Sequence, residues 1–146
     1  MDIARCLDTI DQLCARPFPA AHGGSHPGRE GPGFFLTEWT GGTGDGEAGS
    51  AQDTEDLEAL RDALAQRLDA RWPPQPRLGT ATLRVRLERA EAIPDPWAAL
   101  AVLLDDLDLW EAAEHGRWIA LGVARGRARE ASPGRLIAAV TDVPPV

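Results

Sequence analysis

The sequence predicts a single α+β domain, in which about five mostly antiparallel strands are covered on one face by two or three helices. The prediction depends on two stretches with apolar residues at helical spacing, and on a final stretch, residues 107–141, that resembles a three-strand meander. The chain has 146 residues, enough to bury roughly 70% of the surface that its unfolded form exposes. We therefore treat residues 1–146 as one domain, with Gly/Pro-rich loops at 16–33 and 41–52.

The first predicted helix begins at Ile3, because apolar side chains recur at helical spacing from there to Cys14. Asp2 is the predicted N-cap, and Pro17 ends the helix. Cys6 and Cys14 lie eight residues apart on this helix, which separates them by about 12 Å, too far for a disulfide. We expect reduced, buried thiols in a cytoplasmic protein.

The middle of the chain predicts a strand, a helix and a second strand. Residues 34–39 form an apolar segment between glycines. The helix runs from Asp53 to about Arg71, with acidic residues at its start and arginines at its end, as the helix dipole favours. Apolar and polar residues then alternate over residues 80–88, which predicts a strand with one solvent-facing side.

A short helix is predicted from Trp97 to about Asp105. Asp95 is the expected N-cap, with Pro96 in the first turn. Because the segment after Trp97 is apolar nearly all round, we expect this helix to be largely buried.

The C-terminal meander contains two turn signals, His115-Gly116 and Ser132-Pro133-Gly134. A two-residue loop at the first would place Glu114 opposite Arg117 and Trp110 opposite Leu121. Residues 107–114 could instead extend the preceding helix, since several of them favour helices; the hairpin register favours a strand. The predicted inward face consists of Trp110, Ala112, Ile119, Leu121 and Val123.

Trp118 falls on the opposite face of the same predicted strand. Its neighbours on that face are the small residues Ala120, Gly122 and Ala124. A large aromatic side chain on an otherwise smooth surface is typical of a contact site for a partner. Trp118 is therefore a predicted contact for a protein partner, a second copy of the chain or a ligand, unless a second layer of the protein covers this face.

Composition and charge exclude several functional classes. The net charge of −8 disfavours nucleic acid and anionic membranes as partners, and no apolar run approaches the roughly 20 residues of a membrane span. The chain has no Lys, Tyr or Asn, which excludes Schiff-base lysines, P-loop lysines and tyrosine acids. Their absence, beside abundant Ala, Arg, Gly and Pro, indicates the gene of a GC-rich bacterium.

Two motifs resemble ligand sites without meeting their requirements. Residues 44–49 match G-x-G-x-x-G, but Asp45 and Glu47 would face the pyrophosphate of a dinucleotide. His22, His26 and Glu30 have the spacing of metal ligands on a helix, but the glycines and prolines around them prevent a helix. We therefore predict no cofactor and no metal site.

Two charged clusters complete the list of predicted partner-binding residues. Asp105, Asp106 and Asp108 form a carboxylate run without an intervening cation, continued by Glu111 and Glu114. The second cluster, just before the Ser132-Pro133-Gly134 turn, consists of Arg125, Arg127 and Arg129. Either cluster can be an ordinary solvated surface, or can bind a partner of opposite charge.

These features favour a non-enzymatic protein-interaction or regulatory module, with a homodimer as one form. The alternative is a small-ligand or metal-dependent enzyme that uses the Asp105–Asp108 cluster, with His22 or His26 as further polar groups. Nothing in the sequence identifies the partner or a substrate.

Overall fold

The computed structural model describes residues 3–19, 28–40, 51–124 and 134–145. Each helix and strand is labelled in chain order. The elements are α1 (Ile3–Ala15), β1 (Gly28–Gly31), β2 (Phe34–Thr40), α2 (Ala51–Asp69), β3 (Pro74–Gly79), α3 (Ala81–Glu88), α4 (Trp97–Leu103), β4 (Asp106–Ala112), β5 (Arg117–Ala124) and β6 (Arg135–Thr141).

The six strands form one sheet in the order β1-β2-β6-β5-β4-β3, and every neighbouring pair is antiparallel. This confirms the predicted α+β fold, with six strands where about five were expected. Residues 107–114, for which a helix was the alternative, lie mostly in a strand. Among the described residues, no helix is long and apolar enough to cross a membrane.

One face of the sheet packs against α1 and α2, as predicted. This core combines apolar side chains of both helices with alternate residues of the central strands, among them Trp110, Ala112, Ile119 and Leu121. Val123 packs against its edge. The two cysteines are buried and form no disulfide, as expected, and burial is the main cause that raises the pKa of the Cys14 thiol to about 11.

The opposite face is also covered, so the prediction of helices on one face only was wrong. Trp97, Leu100 and Leu104 pack there against residues of the central strands, including Ile137 and Ala139. The approach is close at Gly122, where an added Cβ would lie 2.7 Å from Leu104 Cδ1 and 2.9 Å from the carbonyl oxygen of Asp106. The absence of a side chain at this position lets the covering layer reach the sheet.

The hairpin between β4 and β5 has a register different from the predicted one. Trp110 pairs with Ile119 and Ala112 with Arg117, because the connection is a 3-10 turn, Ala113–His115, followed by Gly116 at φ 64°. The predicted pairs are displaced by two residues. A displacement of two residues leaves every side chain on its original face, so the inward face was nevertheless predicted correctly.

Residues 80–88, predicted as a strand, form α3 instead. Leu83 is buried, whereas Val85 is 43% exposed; in a strand the two would share a face. The Thr80 hydroxyl donates to the carbonyl of Leu104, and its backbone N–H donates to that of Asp105 at 3.0 Å. Hydrogen bonds to the segment at Leu104 and Asp105 therefore outweigh the alternation of apolar and polar residues that predicted a strand.

Neither edge strand was predicted: β1 lies in the segment 16–33 that was predicted as a loop, and no element was predicted for the residues of β3. β3 contains Pro74 and Pro76 and pairs only with β4, and an edge is where a strand tolerates residues that lack an N–H. β1 joins β2 through Pro32-Gly33, with Gly33 at φ 84°, as a type II turn requires.

The expected start of α4 was wrong in detail. Pro96, and not Asp95, occupies the N-cap position, and no side chain caps the helix there. The predicted N-cap of α1, Asp2, lies outside the described residues.

We predict that Gly122→Ala destabilises the protein by about 1–3 kcal/mol, because the added methyl group must displace Leu104 or the backbone at Asp106. Gly79→Ala is the matched control, because a Cβ there meets nothing within 4 Å. The free energies of unfolding follow from urea denaturation. Equal stability of the two variants would contradict the close packing of α4 on the sheet.

Candidate functional site

The outer surface of α4 is the feature that the fold explains least. The helix, WAALAVL, contains no polar side chain. Its inner positions, Trp97, Leu100 and Ala101, are buried, while Val102 on the outer side is 71% exposed. The expectation that this helix is largely buried holds for the six residues that are buried or half-buried, and Val102 is the exception. Partly exposed apolar residues surround Val102 on the same helix: Ala98, Ala99 and Leu103.

Two hydrogen bonds hold α4 in this orientation. At its start, the Trp97 Nε1–H donates to the carbonyl of Val143 at 3.0 Å. Just after its end, the Leu104 carbonyl accepts the Thr80 hydroxyl. With both ends fixed against the sheet, the helix cannot rotate to bury Val102 without breaking these contacts.

The other three helices show what an ordinary surface helix in this protein looks like. α1 exposes Arg5 and Asp8, α2 exposes Asp62, and α3 exposes Thr82 and Glu88. Each of them turns polar side chains toward solvent, as amphipathic helices do. Among the described helices, α4 alone has an outer side without a polar group.

Trp118 lies on the face opposite Ile119 and Leu121, as the sequence predicted, and this is the face that α4 covers. Ala120 and Ala124, two residues and six residues further along β5, belong to the core beneath the covering layer. Trp118 itself is half-buried and pairs across the sheet with Glu111, which is exposed. Its role in binding a partner stays a prediction.

Two carboxylates of the acidic run after α4 pair with arginines from other elements. Asp105 Oδ1 accepts from Arg84 Nη2 of α3 at 3.2 Å, and Asp108 Oδ1 accepts from Arg77 Nε of β3 at 2.9 Å. Asp106 is half-buried in β4. The two arginines that pair with the run lie 21 and 31 residues before their partners in the sequence, so the run itself contains no cation.

The pair between Arg77 and Asp108 has a clear electrostatic effect. The hydrogen bond to Asp108 raises the pKa of Arg77 above its usual value, and the charges of Asp108 and Asp106 add to this effect. Because the Arg77 side chain is 50% exposed, solvent screens most of this attraction and the gain in stability is small. The ion pairs give Asp105 and Asp108 a structural role in joining β3 and α3 to the sheet.

Several of the predicted groups fall on residues that the structure does not describe. Arg125, Arg127, Arg129, His22 and His26 lie outside the described residues, as does the glycine motif at 44–49, so these predictions stay open. Within the described part of the chain, no group of three or more His, Cys, Asp or Glu residues could hold a metal ion.

Sequence reasoning missed the outer surface of α4 as a candidate site. The signal was visible, because WAALAVL has no polar residue, but it was interpreted as evidence for a largely buried helix. Only the position of the helix in the fold shows that one side remains in contact with solvent.

We expect the Glu114 carboxylate at the end of the hairpin to make stability depend on acid pH. The Trp72 Nε1–H donates to Glu114, and this hydrogen bond is the main cause that lowers the pKa of the carboxyl below its ordinary value. A lowered folded-state pKa stabilises the protein above the unfolded-state value, and this contribution is lost as pH falls through the folded-state pKa.

Urea denaturation of wild type and Glu114→Gln across a series of pH values tests this expectation. Wild type should be the more stable at neutral pH, and the difference should vanish below the folded-state pKa of Glu114. Glu88→Gln, on the exposed surface of α3, is the matched control. A difference that is unchanged down to strongly acid pH would show that the ionised carboxylate contributes nothing.

Comparisons with protein-family models, with curated proteins and with solved structures found no match to this chain. The candidate site therefore depends on the geometry of the described residues alone.

Proposed function

We propose that this protein is a non-enzymatic protein-interaction module, and that the outer surface of α4 is its contact surface. The observation that carries the proposal is the 71% exposure of Val102 on a helix without any polar residue. A helix that is apolar all round is normally buried on all sides, so the exposed Val102 is where a partner can complete the burial of α4.

The first partner to test is a second copy of the chain. In a two-fold contact both copies use the same patch, so charged residues near the symmetry axis meet their own like-charged equivalents. On a chain of net charge −8, such juxtaposition is unfavourable over most of the surface. The outer side of α4 carries no charge and avoids this repulsion.

Residues predicted from the sequence can extend this contact. Trp118 lies on the same side of the sheet, and Asp105 follows the end of α4 by two residues. Large aromatic residues and charged rims are typical of interfaces. Within this proposal, Trp118 and Asp105 flank an apolar centre formed by Val102.

The alternative, an enzyme that uses the Asp105–Asp108 cluster, has weaker support. A general acid or base, or a metal ligand, needs a carboxylate that is available to substrate or cation. Asp105 and Asp108 are each engaged by an arginine. Their geometry favours the structural role described above.

We predict that wild-type protein shows a mass that rises with concentration toward that of a dimer, and that Val102→Glu stays monomeric. Placing a carboxylate in an apolar interface, and losing a buried valine worth about 1.5–3 kcal/mol, weakens association at least about tenfold. Size-exclusion chromatography with light scattering over a concentration series measures the effect.

Ala59→Glu, on the exposed side of α2, introduces the same charge on the other face of the sheet and should associate as wild type does. Thermal unfolding should give equal Tm values for both variants, because both positions are exposed. A wild-type protein that is monomeric at all concentrations, or equal weakening by the two substitutions, would overturn self-association through α4.

A further inference from the structure

A polar groove lies on the other face of the sheet, between α2 and the edge formed by β3 and β4. Its volume is about 220 Å³. Residues of α2 form one wall, and residues of the two strands form the other wall and the floor. The polar lining residues are Asp62, Gln66, Asp69, Gln75, Arg77 and Asp108.

The three carboxylates of the groove accept hydrogen bonds from different donors, of which two are charged and one is neutral. Asp62 accepts a hydrogen bond from its neighbour Arg61 at 3.1 Å, and Asp108 accepts one from Arg77 at 2.9 Å. Asp69 accepts from the indole Nε1–H of Trp110 at 2.8 Å. That donor is neutral, so the hydrogen bond orients the Asp69 carboxylate without balancing its charge.

Asp69 does not stabilise α2 from its position in the helix. Asp69 is the last residue of α2, where the helix dipole presents partial negative charge and an anion costs about 0.3–1 kcal/mol. An ionised carboxylate accepts up to about four hydrogen bonds, so the single indole donor leaves most of its capacity for a ligand. The Trp110 ring that holds it is 1% exposed and therefore fixed in place.

The shape and lining of the groove define the ligand chemistry. About 220 Å³ corresponds to roughly seven water molecules and is smaller than the 300–1,000 Å³ of typical sites for drug-sized ligands. The polar groups are spread over α2, β3 and β4, and no described set of carboxylates could hold a metal ion. A cation with several divergent N–H donors fits such a lining, and guanidinium is the biological group of that kind.

We propose that this groove binds the guanidinium group of an arginine side chain or of a small guanidinium compound, with Asp69 as its charged acceptor. Gln66 and Gln75 supply amide oxygens to the remaining N–H groups, and Arg77 keeps Asp108 in place on the opposite wall. The groove and the outer surface of α4 lie on opposite faces of the sheet. The groove can therefore bind its ligand whether or not the chain self-associates.

Titration with Nα-acetyl-arginine amide, followed through the indole N–H signals in NMR spectra, tests the proposal. The indole N–H signal of Trp110 is identified as the one that the Asp69→Asn substitution displaces. We expect the ligand to shift this signal in a saturable manner. Asparagine at position 69 retains an oxygen for the indole and removes the charge, so the variant should fold. Loss of the charge-assisted hydrogen bond should weaken binding about tenfold or more.

Asp8→Asn, on the exposed side of α1, makes the same change in net charge and should bind as wild type does. The neutral analogue Nα-acetyl-citrulline amide should not bind. Equal binding of the citrulline compound, equal loss in the two variants, or the absence of a saturable shift would overturn the proposal.

Two further ligands distinguish the possible sources of the guanidinium group. A Gly-Gly-Arg-Gly-Gly peptide that binds as well as agmatine assigns the groove to a side chain of a protein partner. Binding of agmatine alone assigns it to a free small molecule. Either result supports the guanidinium chemistry, while binding of neither ligand contradicts it.

Discussion

The central strand β5 is buried on both faces, and the rest of the structure depends on this constraint. Ile119 and Leu121 face α1 and α2, while Ala120 and Gly122 face the layer that contains α4. An antiparallel sheet with two buried faces needs two covering layers. The long, amphipathic α1 and α2 supply the first layer, and the short segment between β3 and β4 supplies the second.

The second layer is where local sequence and tertiary structure disagree. A covering helix of seven residues has room for about two turns, so Trp97, Leu100 and Leu104 must contribute nearly all of its inward surface. The small residues Ala120 and Gly122 allow these large side chains to approach the sheet. The apolar outer side of the same helix is not needed for this packing, and for that reason it carries the proposed function.

Sequence pattern was sufficient for α1, α2, β2 and the meander, because apolar residues recur there at helical spacing or form short runs between turn residues. It failed at residues 80–88, where Thr80 forms hydrogen bonds to the carbonyls of Leu104 and Asp105 between α4 and β4. It also failed at β3, whose prolines are compatible with a strand only at a sheet edge. The face of Trp118 was predictable from alternation alone. The partners of Asp105 and Asp108 were not, because Arg84 and Arg77 reach them through long-range strand and helix pairing.

The same limit applies to the two candidate binding features. Asp69 lies 41 residues from the indole that orients it, so no local motif could have identified the groove. The exposure of Val102 depends on which side of α4 faces the sheet, and the burial of Trp97 and Leu104 against the sheet determines that side. Both features arise from the assembled layers and are properties of the fold.

The central claim is that the outer side of α4 is covered in the functional form of the protein. Amide hydrogen exchange, measured by mass spectrometry on dilute and on concentrated protein, tests it most directly. We expect the amide hydrogens of residues 97–103 to exchange more slowly at high protein concentration, and those of α2 to exchange at the same rate at both concentrations. Identical exchange of residues 97–103 at both concentrations would contradict self-association through this helix.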